Sequence, residues 1–183
     1  LKFIKEPKIG EKAAEERISI RSAVKAIVND ADKSTLYILI AIFFWFVGYQ
    51  AVEATFSNYC VLFLGLDESD SGIILGFFAL SFLIFSIPSG FIGSKIGKRK
   101  AILIGLIGDT VIFLLLTLIG TLIPFNQPLM MGLMMVGGFF WAMININSYP
   151  MVVERTTEEK IGTFTGLYYF SSSLAAIDRK SVV

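Results

Sequence analysis

The chain has 183 residues, 55% of them hydrophobic and 14% aromatic, with a mean hydropathy of +0.71 and a formal net charge of +1. It has no histidine and one cysteine, Cys60, which excludes an internal disulfide, a Cys/His metal site and a Cys–His nucleophile pair. Its near-zero charge leaves no electrostatic footprint for nucleic acid, and nothing in it points to a cofactor.

Residues 1–34 carry eight basic and six acidic side chains. From Glu11 to Asp30 the pattern is helical, with Ile20, Val24, Ile27 and Val28 on one face and Arg17, Arg21 and Lys25 beside them. The segment reads equally as an interfacial helix or as a solvated linker. The first apolar span covers about 36–64 and contains one acid, Glu53. At 1.5 Å per residue it is ~43 Å long, more than a bilayer core, so it must tilt or bend, and Gly48 is the expected bend. An acidic connection, Gly65 to Asp70, precedes a second span over 71–93. The third span covers 101–123 and contains Asp109; the fourth covers 129–152. No charged residue falls between Ser71 and Ser94 or between Gln127 and Val153. Each run exceeds the ~20 residues that cross ~30 Å of hydrocarbon. The fold class is therefore an all-α polytopic membrane bundle; a β-barrel would alternate instead.

A charged loop, Glu154 to Lys160, leads to an apolar run over 163–177 that is too short to cross. Residues 178–183 back-translate to a common sequencing-adapter sequence and read as an artefact, a short polar tail being the alternative. With Leu1 in first place, the chain reads as a piece of a larger protein.

Lys95, Lys98, Arg99, Lys100, Arg155 and Lys160 lie in loops on the side of residues 1–34, and the opposite loops hold no Lys or Arg. The positive-inside rule puts residues 1–34 on the cytoplasmic side of the cell membrane. Gly93 and Gly97 suit a tight turn within the basic cluster. Gly72 with Gly76, and Gly90 with Gly93, are expected to let helices approach closely.

An acid inside a span costs about 2.5–3.5 kcal/mol on insertion scales, so it needs a reason. On a helical wheel, Trp45, Phe46, Tyr49, Gln50, Glu53 and Ser57 fall within an arc of about 140°. Such a face suits a wet cavity and polyhydroxylated ligands, by ring stacking and by hydrogen bonds from Gln50 and Glu53. The competing reading is an interhelical hydrogen bond from a protonated Glu53. On the fourth span Gly138, Trp141, Asn145, Ser148 and Tyr149 share a face about 100° wide, with Asn147 pointing elsewhere. It could shape a pocket, or serve only packing. Ser81 and Ser86 are scattered and can bond to their own backbone.

Gly90-Phe-Ile-Gly-Ser-Lys95-Ile-Gly97-Lys98-Arg99 resembles the loop signature of the major facilitator superfamily, G-x-x-x-D-[RK]-x-G-[RK]-[RK]. Gly90, Lys95, Gly97, Lys98 and Arg99 match, while Ser94 stands in place of the Asp, which puts a charge-based latch there in doubt. Phe3-Ile-Lys-Glu-Pro7 resembles the linker between the family's two halves. Phe43 to Glu53 resembles the seventh helix of its glycoside and sucrose symporters, Asn145 to Glu154 the end of the tenth, and Gly162 to Tyr169 the start of the eleventh. The resemblance covers nearly all of residues 1–177. It implies part of a carboxy-terminal half, lacking the amino-terminal half of the same chain.

The resemblance also implies alternating access, a sugar or glycoside as solute and H⁺ or Na⁺ as coupling ion, with membrane lipid as the surroundings. It names the first and fourth spans as cavity-lining helices. The substrate-binding candidates are accordingly Trp45, Tyr49, Gln50, Glu53, Ser57, Trp141, Asn145 and Ser148. The cation-site acids of such symporters lie mainly in the other half. Asp109 falls on a peripheral helix, where an acid more often secures a neighbour than couples an ion. A non-transporting scaffold or receptor half is the alternative from another class, and a carrier of a non-sugar solute the alternative within the family; without paired catalytic acids or a nucleophile elbow, an enzyme is not expected.

Overall fold

A computed structural model of the protein describes residues 33–122, 126–154 and 161–174, together with Lys25, Val28 and Asn29. Most of residues 11–30, the loop residues Arg155, Glu158, Glu159 and Lys160, and the 178–183 tail lie outside the described residues. From Lys33 onward the described residues form helices and no strand. These are α1, Ser34–Asn58, with a π-helical turn at Tyr59–Phe63; α2, Glu68–Ile96; α3, Lys98–Leu122; α4, Gln127–Val153; and α5, Ile161–Leu174. The first four are long and apolar enough to cross a membrane.

The helices begin earlier than the charge pattern implies. Glu68 and Asp70 form the first turn of α2, where the helix dipole favours acids. Lys98, Arg99 and Lys100 form the first turn of α3, where the dipole disfavours cations. The connection between α2 and α3 is therefore Gly97 alone, at φ +92° and ψ 135°. A side chain is strained in that conformation. Gly97→Val is expected to cost about 1–3 kcal/mol, read as a lower thermal unfolding midpoint in detergent. Gly72→Ala, which faces open space, serves as the unaffected control.

Helix α4 is the hub. It packs against α2 on one side and α3 on the other, while α5 packs mainly on α1. Its buried residues include Met130, Met134, Gly137, Trp141, Ile144 and Ser148. In lipid, close contact depends on small residues at crossings. A Cβ on Gly138 would lie 2.2 Å from the Phe78 carbonyl oxygen of α2, and one on Gly105 would lie 2.7 Å from the Phe140 carbonyl oxygen of α4. Gly108 sits beneath the Phe140 ring, and Gly93 leaves room for the Asn147 side chain. Asn147 Nδ2 donates to the Ser89 and Met143 carbonyls at 3.1 and 2.9 Å, tying α4 to α2. A Cβ on Gly72 or Gly76 meets nothing within 4 Å, so the expected small-residue contact there is not made among the described residues. Ser86 bonds to its own helix, but Ser81 donates across to the Met135 carbonyl of α4.

No break marks Gly48, where a bend was expected. Helix α1 runs through it, and its irregular turn is the π segment at Tyr59–Phe63. That turn is tied to a neighbouring helix: the Tyr59 hydroxyl donates to the Leu116 carbonyl of α3 at 3.1 Å, over Gly120.

Candidate functional site

The aromatic faces of α1 and α4 meet in the middle of the bundle. Tyr49 stacks on Trp141 with ring centroids 4.3 Å apart and planes 7° apart. Phe46 meets Trp141 edge-on at 5.6 Å, and Tyr49 lies 6.2 Å from Phe78 of α2. This contact places two of the expected residues against each other and a third, Trp45, beside them.

Around this contact lies a cavity of about 220 Å³, lined by Trp45, Tyr49, Phe78, Asp109 and Trp141, with Phe113 and Ile144 completing the wall. Asp109 reaches it because Gly105 and Gly108 let α3 close onto α4. The residue is 8% exposed, and its Oδ1 is buried without a hydrogen-bond partner. Two more polar atoms are buried without a partner among the described residues: the indole Nε1 of Trp45, in the same lining, and the amide Oε1 of Gln50, outside it. Unmatched groups of this kind cost free energy, so each calls for an explanation.

A larger cavity, about 630 Å³, opens beside the basic turn. Tyr37, Ile38 and Ala41 of α1 face Lys98, Arg99 and Leu103 of α3 across it, with Met151 and Glu154 of α4 at its edge. Trp45 and Leu106 line both cavities, so they form the wall between the basic end and Asp109.

The other expected residues lie elsewhere. Ser57 Oγ is 3.1 Å from Ser71 Oγ, in the contact between α1 and α2. Ser148 is buried, with its Oγ 3.1 Å from the Tyr168 hydroxyl of α5, and its hydroxyl donates to the Asn145 carbonyl. Tyr149 makes a parallel link to Thr165 at 3.0 Å. Glu53, Gln50 and Asn145 are half-buried and line neither cavity. Asp109 is the cavity residue that the helical wheels did not group with the aromatics. Its signal was the glycine pair on its own helix, Gly105 and Gly108, which marks the side that approaches a neighbour.

At the basic end, Lys98 forms an ion pair with Glu154 at the end of α4. Ser94, which replaces the acid of the loop signature, donates to the Phe91 carbonyl of its own helix at 2.8 Å. The charged link between the turn and the bundle is therefore made by Lys98 to α4. Gly90 packs toward Ile146 of α4, with 3.6 Å left for a Cβ. Lys95 sits in the last turn of α2, where the dipole favours a cation.

The sequence matches the family model of the Major Facilitator Superfamily over residues 1–177. The chain belongs to that superfamily. No curated protein and no solved structure matches it. Membership makes it a multi-pass membrane protein of a transporter superfamily, whose members move solutes and are not enzymes. For a major facilitator chain the relevant chemistry is binding and conformational change, so the unmatched polar atoms around the Tyr49–Trp141 contact are candidates for ligand contacts.

Proposed function

We propose that this chain supplies part of the carboxy-terminal half of a sugar or glycoside:cation symporter in the cell membrane, with residues 1–34 on the cytoplasmic side. The observation that carries the reading is the Tyr49–Trp141 contact, with Trp45 and its unmatched Nε1 in the same cavity lining. The ring edges and outer faces of the cavity lining offer apolar surface to a pyranose, and the unmatched Trp45 N–H is a donor for a hydroxyl. Gln50, Glu53 and Asn145, which line neither cavity, would face the other half of the carrier. Ser57 and Ser148 would hold α1 and α4 in place through α2 and α5. Transport then follows from rocking of one half against the other about this site, with the Lys98–Glu154 pair closing the basic end in one state.

A non-sugar solute with an apolar body is the second reading, favoured by the largely apolar wall of the 220 Å³ cavity.

Counterflow of labelled sugars into vesicles carrying the complete carrier tests the proposal. Accumulation of a sugar is expected; uptake restricted to apolar solutes selects the second reading, and no uptake across a broad panel overturns both. Glu53→Gln is expected to insert normally and to lower sugar uptake about tenfold, the effect of losing one charged hydrogen bond. Unchanged uptake by that variant removes Glu53 from the site.

A further inference from the structure

Asp109 lies in the apolar middle of α3, lines the 220 Å³ cavity and has no hydrogen-bond or ion-pair partner among the described residues. Trp45 lines the same cavity, and its Nε1–H, a donor, is also buried without an acceptor. Two residues of one cavity lining thus each hold a buried polar atom, one a donor and one an acceptor, with no partner among the described residues. Trp45 also belongs to the wall between that space and the larger cavity at the basic end.

We propose that Asp109 is a proton-binding site of the carrier, and that the Trp45 indole responds to its charge. This rests on the reading of the chain as part of a cation-coupled transporter. A proton adds to a carboxylate oxygen of Asp109 and forms the neutral acid, which needs no counter-charge in an apolar surround. When the proton leaves, the carboxylate is a strong acceptor and draws in the unmatched donor of the same lining, the Trp45 N–H. Trp45 then moves within the wall between the two cavities. Proton occupancy at Asp109 and access from the basic end become one equilibrium.

The surroundings favour a proton over a metal cation. Hard cations collect about six or more oxygens. Here, beside Asp109, only Tyr49 and Thr110 bring side-chain oxygens to the lining, and the Thr110 hydroxyl donates to the Leu106 carbonyl at 2.8 Å. Of the helices packed around Asp109, α1 brings the titratable Tyr49. The residues of α2 and α4 in the lining, Phe78, Trp141 and Ile144, carry no titratable group. Glu53 sits one turn beyond Tyr49 and outside the lining. Lys98 and Arg99 border the adjoining cavity, about three helical turns away along α3.

Infrared difference spectra of the purified complete carrier, taken between mildly acidic and mildly alkaline buffer, test the proposal without any solute. The expected result is a protonated-carboxyl band that responds to pH, disappears in Asp109→Asn and shifts in Asp109→Glu. The same band is expected to ignore exchange of sodium for potassium. No Asp109-dependent band, or one that does not change with pH, overturns the proposal. So does a band that responds to sodium or to tetramethylammonium in place of acid. If Asp109→Asn does not fold, the shift in Asp109→Glu decides the matter, and an unshifted band overturns the assignment. Solute-induced alkalinisation by vesicles of the wild-type carrier, reduced about tenfold or more in Asp109→Glu or Asp109→Asn, supplies the coupling readout. Absence of sugar uptake by the wild type defeats the sugar reading and leaves the infrared result to decide Asp109.

Discussion

Gly138→Leu is expected to destroy the packing of α4 on α2 while leaving each helix long and apolar enough to insert. Even a methyl group at this position would sit 2.2 Å from the Phe78 carbonyl oxygen and 2.9 Å from Ser81 Cβ. The first obstacle is backbone, which cannot rotate away as a side-chain end can. The helices must separate, and the nearby Ser81 bond to the Met135 carbonyl goes with them. Overpacking typically costs about 1–3 kcal/mol, and a backbone obstacle puts this variant at or above the top of that range. Marginal stabilities leave little reserve against such a loss. The measurement is recovery of monodisperse protein in detergent and its thermal unfolding midpoint. Gly76→Leu is the matched control, because Gly76 faces open space. A Gly138→Leu protein as stable as that control would disprove the α2–α4 contact.

Trp141→Ala is expected to have the largest effect on transport. The indole is buried, stacks on Tyr49, meets Phe46 edge-on and lines the Asp109 cavity. Its removal enlarges that cavity and costs about 3–5 kcal/mol of stability. The stacking itself accounts for about 0.5–1.5 kcal/mol beyond area. Trp141→Phe keeps a ring in place and is expected to retain most of the stability. Uptake of labelled solute by the complete carrier should fall by about tenfold or more in Trp141→Ala, and less in Trp141→Phe. Normal uptake by Trp141→Ala would remove the Tyr49–Trp141 contact from the transport path.

The membrane class was legible from charge placement alone, because two uncharged runs of more than 20 residues have few other stable homes. The basic turn was legible too: Lys95, Gly97, Lys98 and Arg99 mark it by composition. The aromatic faces of α1 and α4 were visible as faces, since a helix places residues at 100° intervals wherever it sits. A wheel shows what shares a side, but it carries no information about what lies opposite. Ser57 and Ser148 share the wheel faces of Tyr49 and Trp141, yet their partners are Ser71 and Tyr168 on other helices. Glu154 has Arg155 beside it in sequence, but its structural partner is Lys98, far away along the chain.

Residue types and their spacing by themselves determined that this chain forms apolar helices, where they begin and end to within a few residues, and which stripes on them are polar. The tertiary structure alone decided which stripes meet. Gly105 and Gly108 admit α3 to α4 and so carry Asp109 into the cavity with Trp45, Tyr49 and Trp141. Gly120 leaves room for the Tyr59 hydroxyl, which ties the π-helical turn of α1 to Leu116 of α3. In each case the deciding quantity is the distance between two helices, set by whether a Cβ stands in the way. That distance belongs to a pair of segments far apart along the chain, so neither segment states it alone.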